Sequence, residues 1–460
     1  RDFSDKRLWW LIIAVTVIWF SNLEYRILIK PDEGRYAEIP REMVASGDWT
    51  TPRLNGLKYF EKPPLQYWAT ATAYTLFGEH QWTARLWTAL TGFAGILRVW
   101  YAGLRLFGRV ASNYAAMLAG SSMLYVLMAH FNSLDMGVTF FLTLGIAGLL
   151  LGQAQTDTRK QRKWMILAWA GLGLAVMSKG LMGLVLPGAA LLIYMAAQRD
   201  FSVLKRMHWL PGMAVFLLIT APWCYLVMKD NPEFFHKFFI YEHYLRFTTQ
   251  VHARYQPWHY FIQILLPGML PWTLLMFDTL MRTWKGGARA ANAFSAERFL
   301  LIWAVFIYLF FSVSSSKLPS YLLPMFPALA LLMGRQLAVM STRRLFWLVA
   351  PVLPLLMLGL ALLPYAAARL ADTPLRAQGY SEYAWWLAAA ILVWSLGMIA
   401  ALVLLWRSNS VRDHKPMAVL VLAISTLLAA QLGTSGYNTI AKERSAYFIA
   451  EAIRPYVKAD

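Results

Sequence analysis

The stretch IKPDEGRYAEIPREMVASGDWTTPRLNGLKYFEK, residues 29–62, determines how the rest of the chain is interpreted. It is strongly polar, whereas most of the chain is apolar. An adjacent acid pair, Asp32 and Glu33, lies near its start, and Glu61 and Lys62 close it before two prolines. Carboxylates at both ends of a polar loop beside an apolar bundle predict that the chemistry takes place here.

The composition predicts an all-α polytopic membrane protein. Of the 460 residues, 58% are hydrophobic and only 15% are charged, whereas soluble domains carry about 25% charged residues. Apolar runs of about 20 residues therefore indicate transmembrane helices. The first run has no small-residue cleavage site, so we expect it to remain as a helix. We predict thirteen spans, at 8–28, 85–107, 110–130, 135–153, 164–178, 181–198, 209–228, 258–280, 299–313, 318–338, 346–365, 384–406 and 416–432.

The net charge of +19 sets the orientation, because cytoplasmic loops carry an excess of Lys and Arg. The apolar run 64–77 has only 14 residues, which is short for a span. If it lies on the outer face as an interfacial or re-entrant helix, the basic loops all fall inside. These loops lie within 159–163, 199–206, 282–289, 343–344 and 407–415.

This orientation brings the chemically suggestive segments to one outer face. They are 29–62, 131–135, 229–257, 314–321 and the chain after 433. We therefore predict a transmembrane domain at 1–432, with outer-face loops at 29–84 and 229–257. Residues 433–460 would begin a C-terminal region on this outer face, which the family resemblance given below implies is periplasmic.

Two aspartates are the candidate catalytic carboxylates. Asp32 could act as a base or orient an acceptor at the membrane surface, and Asp135 could face it as a second carboxylate. Each could instead cap a helix N-terminus, and Glu33 is the better candidate for that capping role. Lys179, in a tight turn on the same face, is expected first as an interfacial anchor.

Cationic groups on the outer face are candidate phosphate ligands. Lys62 sits at headgroup depth, where an ammonium can hold a phosphate, or it is a snorkelling lysine paired with Glu61. Lys317 and Tyr321, one turn apart, could bind phosphate and stack on a sugar, or they could be an anchor pair.

The segment FIYEHYLRF, residues 239–247, is a weak candidate metal site. Glu242, His243 and Arg246 fall within about one helical turn. Glu and His could contribute to a divalent metal site while Arg246 grips a phosphate, with Glu61 as the third ligand. The alternative is an intrahelical ion pair between Glu242 and Arg246.

Several motifs together resemble the GT-C integral-membrane glycosyltransferases of the protein-mannosyltransferase-like branch, specifically the lipid A aminoarabinose transferase family. They are KPDEGRYAEIPREMVASGDW, LNGLKYFEKPPLQYW, FNSLDM, YEHYLRF and SSSKLPSYLLP. The resemblance implies the GT-C fold, with thirteen spans and interfacial helices in the first periplasmic loop. It also implies roles for individual residues: catalysis for Asp32 and Asp135, phosphate binding for Lys62, Arg246, Lys317 and Tyr321, and metal contact for Glu61 and His243.

The resemblance further implies an inverting transfer of 4-amino-4-deoxy-L-arabinose from undecaprenyl phosphate to lipid A phosphates. Such a modification of lipopolysaccharide gives polymyxin resistance. The enzyme would be a monomer in the bacterial inner membrane, facing the periplasm, with lipid partners, no nucleic acid and a possible divalent metal such as Zn. Two alternatives remain open: a sister GT-C enzyme that moves a hexose to a protein or glycan, and a non-enzymatic lipid transporter or flippase.

Overall fold

A computed structural model describes residues 5–245, 256–286, 294–314, 316–370, 373–409 and 411–457. Within these residues the chain is almost entirely helical, and one short two-stranded hairpin is present. The predicted all-α fold is confirmed. The first ten helices are α1 (Asp5–Phe20), α2 (Asp32–Ser46), α3 (Leu65–Phe77), α4 (Gln81–Phe107), α5 (Arg109–Ser121), α6 (Met123–Ala129), α7 (Leu134–Gln153), α8 (Thr158–Lys179), α9 (Met182–Gln198) and α10 (Trp209–Asp230).

The remaining helices follow a π-helical segment, His236–Leu245. They are α11 (Tyr260–Gly268), α12 (Thr273–Lys285), α13 (Ala296–Val313), α14 (Phe326–Val339), α15 (Thr342–Val349), α16 (Val352–Leu370), α17 (Pro374–Trp406), α18 (Lys415–Gly436), α19 (Asn438–Ala441) and α20 (Tyr447–Ile453). Three short 3-10 helices lie at Phe201–Arg206, Pro319–Met325 and Arg454–Tyr456.

The predicted count of thirteen spans is not confirmed. Among the described residues, seven helices are long and apolar enough to cross a membrane, or nine if each of two bent pairs counts as one span. Two of the predicted spans, α4 and α8, have 27 and 22 residues. At about 1.5 Å per residue both could cross the apolar layer, but neither is among the seven.

Two predicted spans are broken rather than straight. The run 110–130 divides into α5 and α6, which meet at an angle of 63°. The run 258–280 divides into α11 and α12, which meet at 106° across a break that contains Pro271. Proline lacks the amide hydrogen that a continuing helix needs, which accounts for an interruption there. The first predicted span is also shorter than expected, since α1 ends at Phe20.

The polar stretch 29–62 folds into α2 and a β-hairpin, and the apolar run after it becomes α3. The hairpin pairs β1 (Arg53–Leu54) with β2 (Leu57–Lys58). Its two turn residues both have positive φ, as a type I′ turn requires. At 13 residues, α3 is about 20 Å long, too short to span. It packs on α2 through a buried cluster with Tyr36, Ile39 and Tyr67.

Glycines allow α7 and α8 to pack backbone against backbone. A Cβ on Gly171 would lie 2.6 Å from the Gly145 nitrogen, and one on Gly148 would lie 2.8 Å from the Ala168 nitrogen. The antiparallel register of these contacts brings the start of α7 to the end of α8. That is where Asp135 and Lys179 meet.

Candidate active site

A cavity of about 200 Å³ lies at the outer ends of the helices, between the polar stretch and two later segments. Both aspartates predicted as catalytic, Asp32 and Asp135, line it. The sequence places these residues about one hundred positions apart, and the fold brings them to one space. The other lining residues are Ile29, Lys30, Pro31, Glu33, Met128, Phe131, Asn132, Ser133, Leu318, Pro319 and Ser320.

Asp32 is the more accessible of the two aspartates. It is the first residue of α2, and its side chain is 38% exposed. The nearest cation is Arg35, whose Nη1 lies 4.0 Å from Oδ1 of Asp32. The N-terminal end of α2 favours the negative charge, but no side-chain capping hydrogen bond is made there. Asp32 therefore remains available to a ligand in the cavity.

Glu33 is a buried structural clamp, so its expected role as a helix cap is wrong. Its carboxylate accepts hydrogen bonds from Arg26 Nη1 at 2.6 Å and Arg85 Nε at 2.8 Å. It also accepts from the backbone nitrogens of Ile29 and Asn132, at 3.2 and 3.0 Å. Burial would raise the pKa of Glu33, but the charges of Arg85 and Arg26 outweigh it and lower the pKa to about 2. The clamp fixes the segments that carry Asp32 and precede Asp135.

Asp135 is already paired. It is the second residue of α7, and its carboxylate accepts a hydrogen bond from Lys179. The Lys179 ammonium also lies 4.7 Å from the ring centre of Tyr321. Lys179 thus joins two predicted site residues rather than serving only as an anchor. The sequence signal for this role is faint, because a lysine after a serine at a helix end is common at membrane surfaces.

Tyrosines surround the other end of the polar stretch. The Tyr59 hydroxyl interacts with the Glu61 carboxylate and with Arg35, whose Nη1 lies 3.4 Å away. Burial raises the pKa of Tyr59, and the nearby Glu61 charge raises it further. The ring of Tyr36 stacks on that of Tyr67, with the ring centres 6.2 Å apart. Sequence reasoning did not single out these tyrosines, which become neighbours only when α2, the hairpin and α3 pack.

The predicted phosphate ligands lie in two places. Lys62 Nζ donates to the Glu61 carbonyl at 2.7 Å and lies 3.9 Å from Oε2 of Glu242. Lys317 Nζ donates to the Gln256 carbonyl at 2.9 Å, and burial lowers its pKa. It immediately precedes the Leu318–Ser320 wall of the cavity. Arg246 lies outside the described residues.

The described residues do not by themselves form the predicted metal site. No three Asp, Glu, His or Cys side chains among them converge on one point. Glu61 interacts with Tyr59, and Glu242 lies against Lys62. The side chain of His243 lies outside the described part. A divalent metal at Glu61 and His243 therefore stays a prediction.

Comparisons with known proteins identify the family of this chain. The chain is similar over 99% of its length to the crystal structure of ArnT from Cupriavidus metallidurans bound to undecaprenyl phosphate. The identity is 36%, the TM-score is 0.91, and 81% of that chain is covered. The chain belongs to the aminoarabinose transferase family. Residues 61–226 also match the family described as dolichyl-phosphate-mannose-protein mannosyltransferase.

Other members of the aminoarabinose transferase family have a similar sequence identity to this chain over a shorter aligned length. The undecaprenyl phosphate-alpha-4-amino-4-deoxy-L-arabinose arabinosyl transferase of Edwardsiella ictaluri is 34% identical over 330 residues. The second such enzyme of Pseudomonas fluorescens Pf-5 is 33% identical over 332 residues. Each alignment covers 71% of this chain, which spans 58% and 55% of those proteins.

A more distant structure extends the likeness at the level of fold alone. The oligosaccharyltransferase of Archaeoglobus fulgidus superposes with a TM-score of 0.51 at 13% identity. The multi-pass GT-C architecture in the bacterial inner membrane, predicted from the loops and the family resemblance, is confirmed.

Proposed function

We propose that this chain is a membrane glycosyltransferase that moves 4-amino-4-deoxy-L-arabinose from undecaprenyl phosphate to a phosphate of lipid A. The main observation behind this proposal is the cavity that Asp32 and Asp135 line together at the outer helix ends. The sugar and the polyprenyl carrier are those that the related proteins are named for. The acceptor comes from the family resemblance.

The chemistry is a displacement at the anomeric carbon. An acceptor phosphate oxygen forms a bond to that carbon while the bond to the donor phosphate oxygen breaks. The electron pair leaves with undecaprenyl phosphate, so no water or redox partner is needed. Attack from the face opposite the leaving group inverts the anomeric configuration.

The leaving phosphate needs positive charge as the bond breaks. Lys62 and Lys317 are the described cations proposed to supply it, and Tyr321 lies beside Lys179. Lys317 donates to a backbone carbonyl, and a phosphate would replace this neutral acceptor with a charged one. Lys62 donates to the Glu61 carbonyl and faces the Glu242 carboxylate, so a phosphate there would share the ammonium with Glu242.

Asp32 is proposed to act on the sugar rather than on the acceptor. A lipid A phosphate is already an anion near neutral pH, so it needs no general base. A carboxylate beside the reacting centre instead stabilises the positive charge that develops on the sugar ring, or pairs with its amino group. Asp135, held by Lys179, would keep the opposite wall in place.

Mass spectrometry of lipid A from cells with and without the protein tests the proposal. We expect an added aminopentose on lipid A phosphate only when the protein is present. A hexose on a protein or glycan would instead indicate a sister transferase. Lipid movement without any new glycosidic bond would indicate a transporter.

The predicted divalent metal is kept as a proposal for the full chain. Glu61 and His243 are the residues that would hold it, and the mechanism above uses no metal. Metal analysis of purified protein, compared with the Glu61→Gln variant, tests this. Equal metal content in both would remove Glu61 from such a site.

A further inference from the structure

The charges that line the cavity are unevenly matched. Glu33 is neutralised by two arginines, and Asp135 is paired with Lys179. Lys30 also lines the cavity and is exposed. Within the described part of the chain, no carboxylate forms an ion pair with Lys30. The cavity therefore has one exposed cation whose charge the described residues leave unmatched.

The C-terminal segment brings a second cation to the same edge. The Arg444 backbone carbonyl accepts a hydrogen bond from the Lys30 backbone nitrogen at 2.9 Å. The Arg444 side chain is exposed, and no described carboxylate pairs with it either. The adjacent Glu443 is engaged by Arg376 at 3.1 Å. The backbones of two exposed cations thus adjoin beside the cavity, which Lys30 itself lines, although the two residues are more than 400 positions apart.

This edge differs from the wall next to Lys317. The Leu318–Ser320 wall is formed by the start of a transmembrane segment. The Lys30 edge is built from the polar stretch and the segment after α18. The ring centres of Tyr437 and Phe131 lie 6.2 Å apart there. The Ile27 backbone nitrogen also donates a hydrogen bond to Asn438 Oδ1 at 3.1 Å. Two anionic substrates that react with each other need separate cationic contacts, because like charges repel at close range.

We propose that Lys30 and Arg444 bind the phosphate monoester of the acceptor. This inference rests on the proposed function, which makes the acceptor an anion. Lysine supplies a compact point charge, and arginine can grip phosphate oxygens in a bidentate manner. Together they offset the repulsion that an incoming phosphate meets from Asp32.

The first test is binding, which needs no turnover. Purified protein in detergent is titrated with lipid A that carries its phosphates and with enzymatically dephosphorylated lipid A. We expect wild-type protein to prefer the phosphorylated form, and Lys30→Gln to weaken that binding about tenfold, the loss of one charge-assisted contact. Lys30→Arg should retain most of it. Lys229→Gln, an exposed lysine on the same membrane face outside the cavity, should bind as the wild type does.

Two results would overturn the inference: equal binding of the two lipids by the wild type, or unchanged binding of phosphorylated lipid A by the Lys30→Gln, Arg444→Gln double variant. Inorganic phosphate is titrated in parallel, and competition by it at comparable concentration would assign the site to free phosphate instead.

A turnover assay separates this inference from the proposed function. With undecaprenyl-phosphate aminoarabinose as donor, Lys30→Gln should raise the KM for lipid A and leave the KM for the donor unchanged. Lys30-dependent binding without any transfer would reject the proposed function and keep the phosphate site. Transfer that proceeds equally well without the Lys30 and Arg444 charges would reject the phosphate site and keep the proposed function.

Discussion

Asp32 and Asp135 line the same cavity but have different surroundings. Asp32 is partly exposed, and its nearest arginine is 4.0 Å away. Asp135 is largely buried and bound by Lys179. A carboxylate with a tight partner is held in place, whereas a loosely paired one can respond to a substrate. The proposed electrostatic role at the reacting carbon is therefore assigned to Asp32 rather than to Asp135.

Replacing Asp32 with asparagine should abolish most transfer without loss of folding. The substitution keeps the shape but removes the charge, and we expect kcat to fall by roughly 10²–10⁴. The measurement is transfer from undecaprenyl-phosphate aminoarabinose by reconstituted protein. Asp230→Asn, at the exposed outer end of α10, is the matched control and should keep full activity. Wild-type turnover by Asp32→Asn would remove Asp32 from catalysis.

Replacing Lys62 with alanine should mainly weaken donor binding. The loss of one charged phosphate contact predicts a donor KM raised about tenfold, with a smaller effect on kcat. Lys62 also faces the buried Glu242, so Lys62→Arg is included to keep that charge matched. Lys58→Ala, on the same loop and exposed, is the control. An unchanged donor KM in Lys62→Ala would argue against the phosphate role.

At the scale of elements, the contact between α7 and α8 determines where Asp135 and Lys179 lie. The two helices approach so closely that glycine hydrogens face the partner backbone. A methyl group at this contact must push the helices apart. The ion pair at their outer ends would then lengthen, although neither residue had been changed.

Gly171→Ala should therefore lower both stability and activity. Overpacking of this kind costs about 1–3 kcal/mol, and the added Cβ would lie 2.6 Å from the Gly145 nitrogen. Thermal unfolding in detergent and the transfer assay measure the two effects. Gly188→Ala in α9 is the control, because its Cβ would meet nothing within 4 Å. Equal behaviour of the two variants would contradict this close packing.

At the scale of the whole molecule, Glu33 joins parts of the chain that are distant in sequence. It binds Arg26 before α2, Arg85 in α4 and the Asn132 backbone before α7. Arg26 further donates to the His130 carbonyl, and Arg85 to the Leu23 carbonyl. One carboxylate thus holds the cavity's surroundings together.

The Glu33 clamp predicts a specific loss of stability in acid. Its folded pKa of about 2 lies below the usual 4.5, so its contribution is complete above about pH 4.5. That contribution should be lost as the pH falls from about 4.5 towards 2. Glu33→Gln should lower the thermal midpoint at pH 7, because it leaves two buried arginines unmatched, and should flatten the acid profile.

The thermal midpoint of detergent-solubilised protein, measured from pH 7 to pH 3, checks the Glu33 prediction. Glu38→Gln is the control on the same helix, because the Glu38–Arg41 pair is partly exposed and should contribute little. Parallel acid profiles for wild type and Glu33→Gln would show that the clamp is not the titrating element.

The sequence by itself determined the fold class and predicted the face that would carry the chemistry. Apolar runs in a chain with few charges allow only membrane helices. The basic loops orient these helices. This orientation predicts that 64–77 does not span and that Asp32, Asp135 and Lys317 lie on one side. The acid pair and the motifs around it were sufficient to indicate the family. All of these depend on composition and local pattern.

Only the tertiary structure decided which groups meet. The sequence predicts a local cap at Glu33 because it shows only the neighbours along the helix, whereas the partners Arg85 and Asn132 lie 52 and 99 positions away. The bends after Ser121 and Gly268 likewise depend on packing that apolar runs do not encode. The pairing of Lys179 with Asp135 follows from glycine contacts between α7 and α8. The backbones of Lys30 and Arg444 meet because the C-terminal segment returns to the polar stretch. Contacts between distant positions arise from how helices pack, and one sequence carries no local signal for them.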